Sequence, residues 1–503
     1  LSNSYLNQKY IFELNTRIFC LKHHCTLEEF PDWFFQSPEV LAADLVWFMG
    51  VWKSSPKSME ICKTHTGLRH EFQKCLPDLR ENDILGSPYA IWEYSPNPIV
   101  AKGFEGLRKV KQQLNQMGKK LILDFVPNHM SVDTIYLEKH PEYFLQKKEG
   151  ETVCQNSFYH APTGKIFFHG RDPYFDGWTD TVQWDFSHPE VLQLHKEILL
   201  KIGSVCDGVR CDMAMLPLPD IFEHTHGKYA LEYWKPLIES TKDKYNNFLF
   251  MGEVYWNREY ELQQLGFDFT YDKTLYDRLK NRETFEIKSH LDATIEYQKK
   301  SIRFLENHDE ERAYNTFQES SISLFALLSF LPGMILYYEG QSEGAIHKVP
   351  VQLGRAPQND TNEIAIEFYK RAFQQIQKRK SKEYLYYNTS FNSYEAIGYN
   401  PLIIKCISVS NSKDPNFSLE ILFFNPEDRI ISGWFRFDSS ICKKLENVSK
   451  SELVFTDVVT GESYVFSRYE ILEKGIYIKL PPFRSHWFVL KDSGENNNKN
   501  SKV

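Results

Sequence analysis

The sequence predicts an α/β protein of the (β/α)8 TIM-barrel class, with an inserted lobe after the third strand and a C-terminal antiparallel β-domain. Three observations predict it. Eight short apolar runs of β character recur through the first two thirds of the chain, helical patterns lie between them, and the periodicity changes to two after about Lys382. The eight runs are Ile11–Phe19, Asp44–Trp52, Lys120–His129, Asp207–Ala214, Phe248–Trp256, Phe267–Asp272, Ile302–Asp309 and Met334–Gln341. Unbroken apolar stretches such as Leu121-Ile122-Leu123 suit strands buried on both faces of a parallel sheet.

The helices are read in the same way. Phe104, Leu107, Val110, Leu114 and Met117 recur at helical spacing, and Gly118 closes that helix. Ser187-His188-Pro189-Glu190 reads as a capping box with an early proline, ahead of Leu194, Ile198 and Ile202. Ile364–Lys380 is the last amphipathic helix before the change of period.

Close to ninety residues run from Asp124 to Asp212, far more than one crossover helix needs, so the surplus is an inserted lobe over the barrel mouth. Period-two runs at Leu402–Ser410, Leu419–Phe424, Trp434–Phe437, Leu453–Phe466 and Trp487–Leu490 give the last domain. The expected divisions are a barrel of residues 1–129 and 187–381, a lobe of residues 130–186, a β-sandwich of residues 382–492 and a disordered polar tail of residues 493–503.

Composition narrows the function. The 503 residues carry 59 Lys+Arg and 67 Asp+Glu, a net charge of −8, so no basic face awaits nucleic acid or an anionic membrane. The longest apolar stretch, Ser323–Tyr338, is shorter than a typical span and is broken by Pro332-Gly333. Leu1–Tyr5 has neither a basic nor an apolar leader region, and the nine cysteines are scattered, so the expectation is a cytoplasmic protein with free thiols. His70-Glu71 lacks the second histidine of a zinc-protease helix and reads as a surface helix, and no phosphate-binding glycine loop of the P-loop type is present. Cys206 and Cys211 read as core thiols.

Four strand ends concentrate acids, histidine and arginine: Asp124-Phe-Val-Pro-Asn128-His129, Arg210-Cys-Asp212, Glu253 and Asn307-His308-Asp309. A barrel strand that ends in a carboxylate aims it into the mouth. Arg210 and Asp212 are two apart and share a strand face, so the guanidinium favours an ionised Asp212 and suits it to nucleophilic attack. Glu253 follows the apolar run Phe250-Met251-Gly252, where desolvation and nearby acids raise a carboxyl and suit it to proton donation. Two carboxylates tuned in opposite directions across one cleft are what glycoside chemistry needs. Any one of these acids alone would read as a helix cap or surface ion pair; four in one eight-strand series do not.

This ordered set, with Gly208-Val209-Arg210-Cys211-Asp212 as its second member, resembles the four sequence regions of the alpha-amylase family of glycoside hydrolases and transglycosidases. The likeness runs from about Ile11 to Leu490. It implies Asp212 as nucleophile, Glu253 as acid/base and Asp309 as the acid that grips the sugar. It further implies His129 and His308 on the same sugar, Arg210 orienting Asp212, Asp124 bracing Arg210, and Tyr89 as a stacking tyrosine. A core tyrosine is the alternative reading of Tyr89. Asn128 and Asp185 match positions that hold calcium in some members and occur without it in others, so calcium stays open.

Two departures stand out. Polysaccharide-cleaving members tend to carry Lys-His where this chain has Met215-Leu216, and Gln183-Trp184-Asp185 matches the family's extra motif only in part. If Met215 or Leu216 faces the leaving group, long starch chains lose hydrogen bonds there and short substrates are favoured; the alternative is that both pack under the loop. The expected activity is a retaining glycosidase of short α-glucans or α-glucosides, with a carbohydrate as partner. An α-glucan transglycosylase of glucanotransferase or phosphorylase type is the second reading, and a non-catalytic carbohydrate-binding or accessory barrel the third.

Overall fold

The structure, a computed structural model, describes residues 8–147, 150, 158–358, 361–380, 384–387, 402–411, 414–437, 439–446, 448 and 451–490. The polar tail and Cys154 lie outside the described residues.

Eight parallel strands close into a barrel: β1 (Lys9–Asn15), β2 (Leu45–Met49), β3 (Lys120–Phe125), β4 (Gly208–Cys211), β5 (Leu249–Gly252), β6 (Phe269–Tyr271), β7 (Ser301–Arg303) and β8 (Met334–Tyr338). Each pairs with its chain neighbours and β1 closes on β8. Every expected run overlaps one of these strands, but most strands are shorter and stop before the polar residues. The first run fails at Thr16 for a local reason. The Asn15 side chain accepts the Ile18 N–H and starts a helix, Thr16–His23, so Ile18 and Phe19 are helical. Gly208 opens β4 because a Cβ there would lie 2.7 Å from the Leu249 carbonyl oxygen.

The helices Phe104–Gln116 and Glu363–Lys380 form as read, and Gly118 (φ 72°) follows the first. The helix Pro189–Gly203 starts differently from expectation. His188 is its cap, accepting the Glu190 N–H, whereas Ser187 gives its hydroxyl to Asp185. Ser323–Tyr338 is divided between the helix Ser320–Leu328 and β8, and no described helix is long and apolar enough to cross a membrane. Cys20, Cys25, Cys62, Cys75, Cys206 and Cys211 are unbridged.

Two insertions cover the C-terminal end of the barrel. The one after β3 is clasped at its neck by an antiparallel pair, His129–Ser131 with Thr181–Gln183, and holds the hairpin Phe158–His160/Ile166–Phe168. The one after β2 was not legible as such. It carries the helices Pro56–Thr64 and Thr66–Cys75 between the paired segments Trp52–Ser54 and Ile91–Pro96. His70 and Glu71 are exposed on the second helix, as expected. The two insertions are tied together. Ser58 donates to Asp180 (2.5 Å), and Asp133 accepts from Ser55 Oγ and the Lys57 N–H.

Beyond Lys380 lie a six-stranded antiparallel sheet and a two-stranded ribbon, Ile431–Phe435 with Ile476–Leu480. The sheet alternates its faces. Leu422, Phe424 and Trp487 join the barrel's core, while Ile421, Phe423 and Phe488 build a second one. The helix Ser439–Glu446 and the strand Ile476–Leu480 had no counterpart in the sequence reading.

Candidate active site

The chemistry-bearing residues converge because strands of a barrel end together. Arg210 is still on β4 and is 1% exposed, and its neighbours in register are Asp124 on β3 and Met251 on β5. Asp212 lies one residue past β4, Glu253 one past β5, and His308 and Asp309 a few past β7. Asn307 explains how the last two are presented. Its Oδ1 accepts the N–H groups of Asp309 and Glu310, each at 2.9 Å, which folds the chain into a tight turn.

Arg210 is the hub. Its Nη1 is 2.6 Å from Asp212 Oδ1, and its Nη2 is 2.7 Å from Glu253 Oε2 and 3.9 Å from Asp309 Oδ2. Asp124 stands off at 3.9 Å, accepting instead the Gly50 N–H at 3.0 Å, so it braces Arg210 through charge and not through a hydrogen bond. His308 Nε2 lies 2.9 Å from Asp309 Oδ2 and 2.8 Å from the Tyr89 hydroxyl. The Tyr89 ring stacks on His308 and lines the cleft, while it also packs against the barrel's core. His129 faces the same cleft, with the Trp178 ring 5.0 Å away.

Burial dominates the electrostatics. It pushes Glu253 up to about 7, with Arg210 opposing and the Asp212 and Asp309 carboxylates adding to the rise. Asp212 is also raised by burial, against the pull of Arg210, so the arginine offsets the desolvation without holding the carboxyl low as expected. Burial works against the charge of Asp309 too, yet His308 and Arg210 hold it down to about 2. Burial leaves His129 neutral, at about 4, and lifts Asp124 to about 6.

Glu253 has partners that the sequence did not reveal. Its Oε2 accepts the Met213 main-chain N–H at 2.7 Å, and its Oε1 meets the Tyr255 hydroxyl at 2.7 Å. A protonated Glu253 carries its proton on Oε1, because Oε2 accepts the Met213 N–H and lies against the Arg210 cation. Met213 (φ 43°) and Trp256 (φ 61°) both take left-handed backbone beside this acid, where such conformations cost about 1–3 kcal/mol each.

The cleft has a volume of about 550 Å³, within the usual range for small-ligand sites. Asp212, Glu253 and Asp309 line it with Tyr255, with Trp178 of the insertion after β3, and with Cys62 and His65 of the insertion after β2. Met215 and Leu216 do not line it. Both are buried, at 0% and 2% exposure, in the barrel's core, and the main chain between them and Asp212 is pinned by Ala214 N–H to the Glu253 carbonyl. They pack under the loop, and the expectation that one of them faces the leaving group is overturned.

The calcium positions are already served. Asn128 Oδ1 accepts from Gln183 Nε2 at 3.0 Å, and Asp185 Oδ1 accepts from the N–H and hydroxyl of Ser187. Asp185 Oδ2 lies 2.5 Å from the Lys228 ammonium. A carboxylate neutralised by lysine does not fit a calcium ligand set, which relies on uncommitted oxygens.

The family model for the alpha-amylase catalytic domain matches residues 103–383, more than half of the chain. A noncanonic maltogenic alpha-amylase of Thermotoga neapolitana shares the fold at a TM-score of 0.61 and 17% identity, over 96% of this chain and 98% of that one. An alpha-amylase of Lactobacillus plantarum follows at 0.60 and 17%, with the same coverage. A trehalose-6-phosphate hydrolase of Bacillus licheniformis reaches 0.59 at 12%, over 97% of this chain and 100% of that one. No curated protein sequence matches the chain.

Proposed function

The chain belongs to the alpha-amylase family of glycosidases acting on α-glucans and α-glucosides, and on that premise we propose that it is a retaining hydrolase of short α-glucans or related α-glucosides. The observation that carries this reading is the pair Asp212 and Glu253 held on one guanidinium, with Glu253 raised to about 7. Bridging by a single arginine suits the roughly 5–5.5 Å of a double displacement better than the roughly 6.5–9.5 Å that leaves room for water in an inverting site.

In this reading Asp212 attacks the anomeric carbon while Glu253 gives its Oε1 proton to the leaving oxygen. The glycosyl ester on Asp212 is then released by water that Glu253 deprotonates. Asp309, His308 and His129 hold the reacting sugar, Arg210 orients Asp212, and Tyr89 offers the sugar a ring face. Preference for short substrates rests on the two insertions, which are joined through Ser58–Asp180 and Asp133 and both line the cleft. Lys228 supplies the positive charge beside Asp185, so the reading requires no calcium.

The test is direct. NMR of the first-formed product from a maltooligosaccharide should show the α anomer, and a β product would rule the double displacement out. Glu253→Gln should cost about 10²–10⁴-fold on that substrate and much less in glycosylation by an α-glucosyl fluoride, which needs little protonation. Product lengths from the same reactions distinguish hydrolysis from glucosyl transfer to a second sugar, since both share the first half-reaction.

A further inference from the structure

Glu13 is a barrel carboxylate to which the proposed reaction gives no task. It sits on β1 within the apolar run Ile11-Phe12-Glu13-Leu14, with Trp47 of β2 and Tyr338 of β8 beside it in register, and it is fully buried. One oxygen, Oε1, is in short contact with His308 Nδ1. The other, Oε2, has no hydrogen-bond partner among the described residues. An unpaired carboxylate in such a place is costly, and the contact it does make reaches the sugar-facing histidine.

His308 is thus held between two carboxylates. Nδ1 faces Glu13, and Nε2 faces Asp309 Oδ2 at 2.9 Å as well as the Tyr89 hydroxyl at 2.8 Å. A neutral imidazole has a single N–H. It could serve one of these acids, and its other nitrogen would then turn a lone pair on the second. Only the imidazolium donates to both.

We infer that Glu13 is a positioning residue that keeps His308 doubly protonated, so that His308 acts as the second cation of the site, with Nδ1–H on Glu13 and Nε2–H on Asp309. The inference rests on the proposed reaction for its effect on turnover and on contact geometry alone for the state of the ring. Burial works against charge on His308, but Asp309 and Glu13 outweigh it and lift the imidazole well above its usual range. The other titratable groups around the pair are Asp124 on β3, Arg210 on β4, Tyr271 on β6, Glu306 after β7, Tyr338 on β8 and Lys348, which donates to the Asp309 carbonyl. Against Asp124, Asp212, Glu253 and Asp309, Arg210 alone leaves a large excess of negative charge. A cationic His308 lowers it.

The experiment uses the whole chain labelled with ¹⁵N-histidine, reading the His308 ring nitrogens. Both should remain protonated up to about pH 8, more than a unit above the ordinary imidazole value. One unprotonated nitrogen at that pH in the wild type overturns the inference whether or not the protein proves active on glucans. Glu13→Gln should leave His308 neutral there, lower kcat/KM about 10–100-fold and move the alkaline limb to lower pH, while Glu13→Asp should restore the charged ring. Glu13→Gln combined with His308→Gln should be no worse than His308→Gln alone; losses that multiply would show that Glu13 acts independently of the histidine.

Discussion

Arg210 and Arg379 are both buried guanidiniums facing carboxylates, one at the barrel mouth and the other where the helix Glu363–Lys380 meets the C-terminal sheet. Arg379 grips Glu420 through both carboxylate oxygens. Its Nε and Nη2 donate to both oxygens of Glu420 at 2.8–3.1 Å, and Gln375 and the Trp487 indole complete that carboxylate at 2.8 Å. Arg210 has four acids within 4 Å, and Asp124 Oδ1 among them makes no hydrogen bond. A balanced, saturated pair fixes a junction. An overloaded one leaves acids short of positive charge, so Arg210 does not offset the burial that, with the Asp212 and Asp309 carboxylates adding to it, raises Glu253 to about 7.

The largest effect should come from Asp212→Asn. Turnover should fall about 10⁴-fold or more, since the amide forms no glycosyl ester. Thermal unfolding should stay level or rise, because one charge leaves an overcrowded site. A lower Tm with activity retained would break the comparison. Next comes the balanced pair. Arg379→Met should cost about 3–5 kcal/mol by stranding Glu420, and Arg379→Met with Glu420→Leu should recover much of that, as measured by denaturant unfolding. The catalytic rate of the folded fraction should not change in either.

Lys228→Ala tests a third, more exposed pair. It should lower stability by at most about 1 kcal/mol, because the lysine is partly exposed and Asp185 keeps the Ser187 N–H and hydroxyl, whereas a chelator should leave the wild-type Tm unchanged. A chelator-induced drop in the wild type would return calcium to the site. The smallest effect should be that of Tyr255→Phe. The Tyr255 hydroxyl lowers the Glu253 carboxyl, so its loss should raise that pKa further. The acid then stays protonated to higher pH, and the alkaline limb of kcat/KM should move upward with only a modest change in rate.

The barrel and its acids were legible because they follow one rule, an apolar run ending in a charged residue, repeated at the strand ends. Asp212, Glu253 and Asp309 come together for that reason. The insertion after β2 escaped notice because its helices lie among short polar stretches, and nothing in their spacing says that they wall a cleft. Met215 and Leu216 misled because two residues close after Asp212 need not face what it faces; beyond the turn at Met213 both lie in the core. Tyr255 was missed for want of a pattern. Glu13 did leave a signal, a lone acid inside an apolar strand, and a charge that survives there needs a partner.

The Met213 peptide N–H that meets Glu253 belongs to the main chain, so the contact does not depend on which side chain occupies the position. Proline alone would delete the donor, and the left-handed turn, which strains any side chain, weighs most on branched residues. The Met213 side chain meanwhile lines the cleft. Mutation at this position can therefore reshape the cleft wall while Glu253 keeps its main-chain partner, which makes residue 213 a place where the cleft can drift at little cost to the acid beside it.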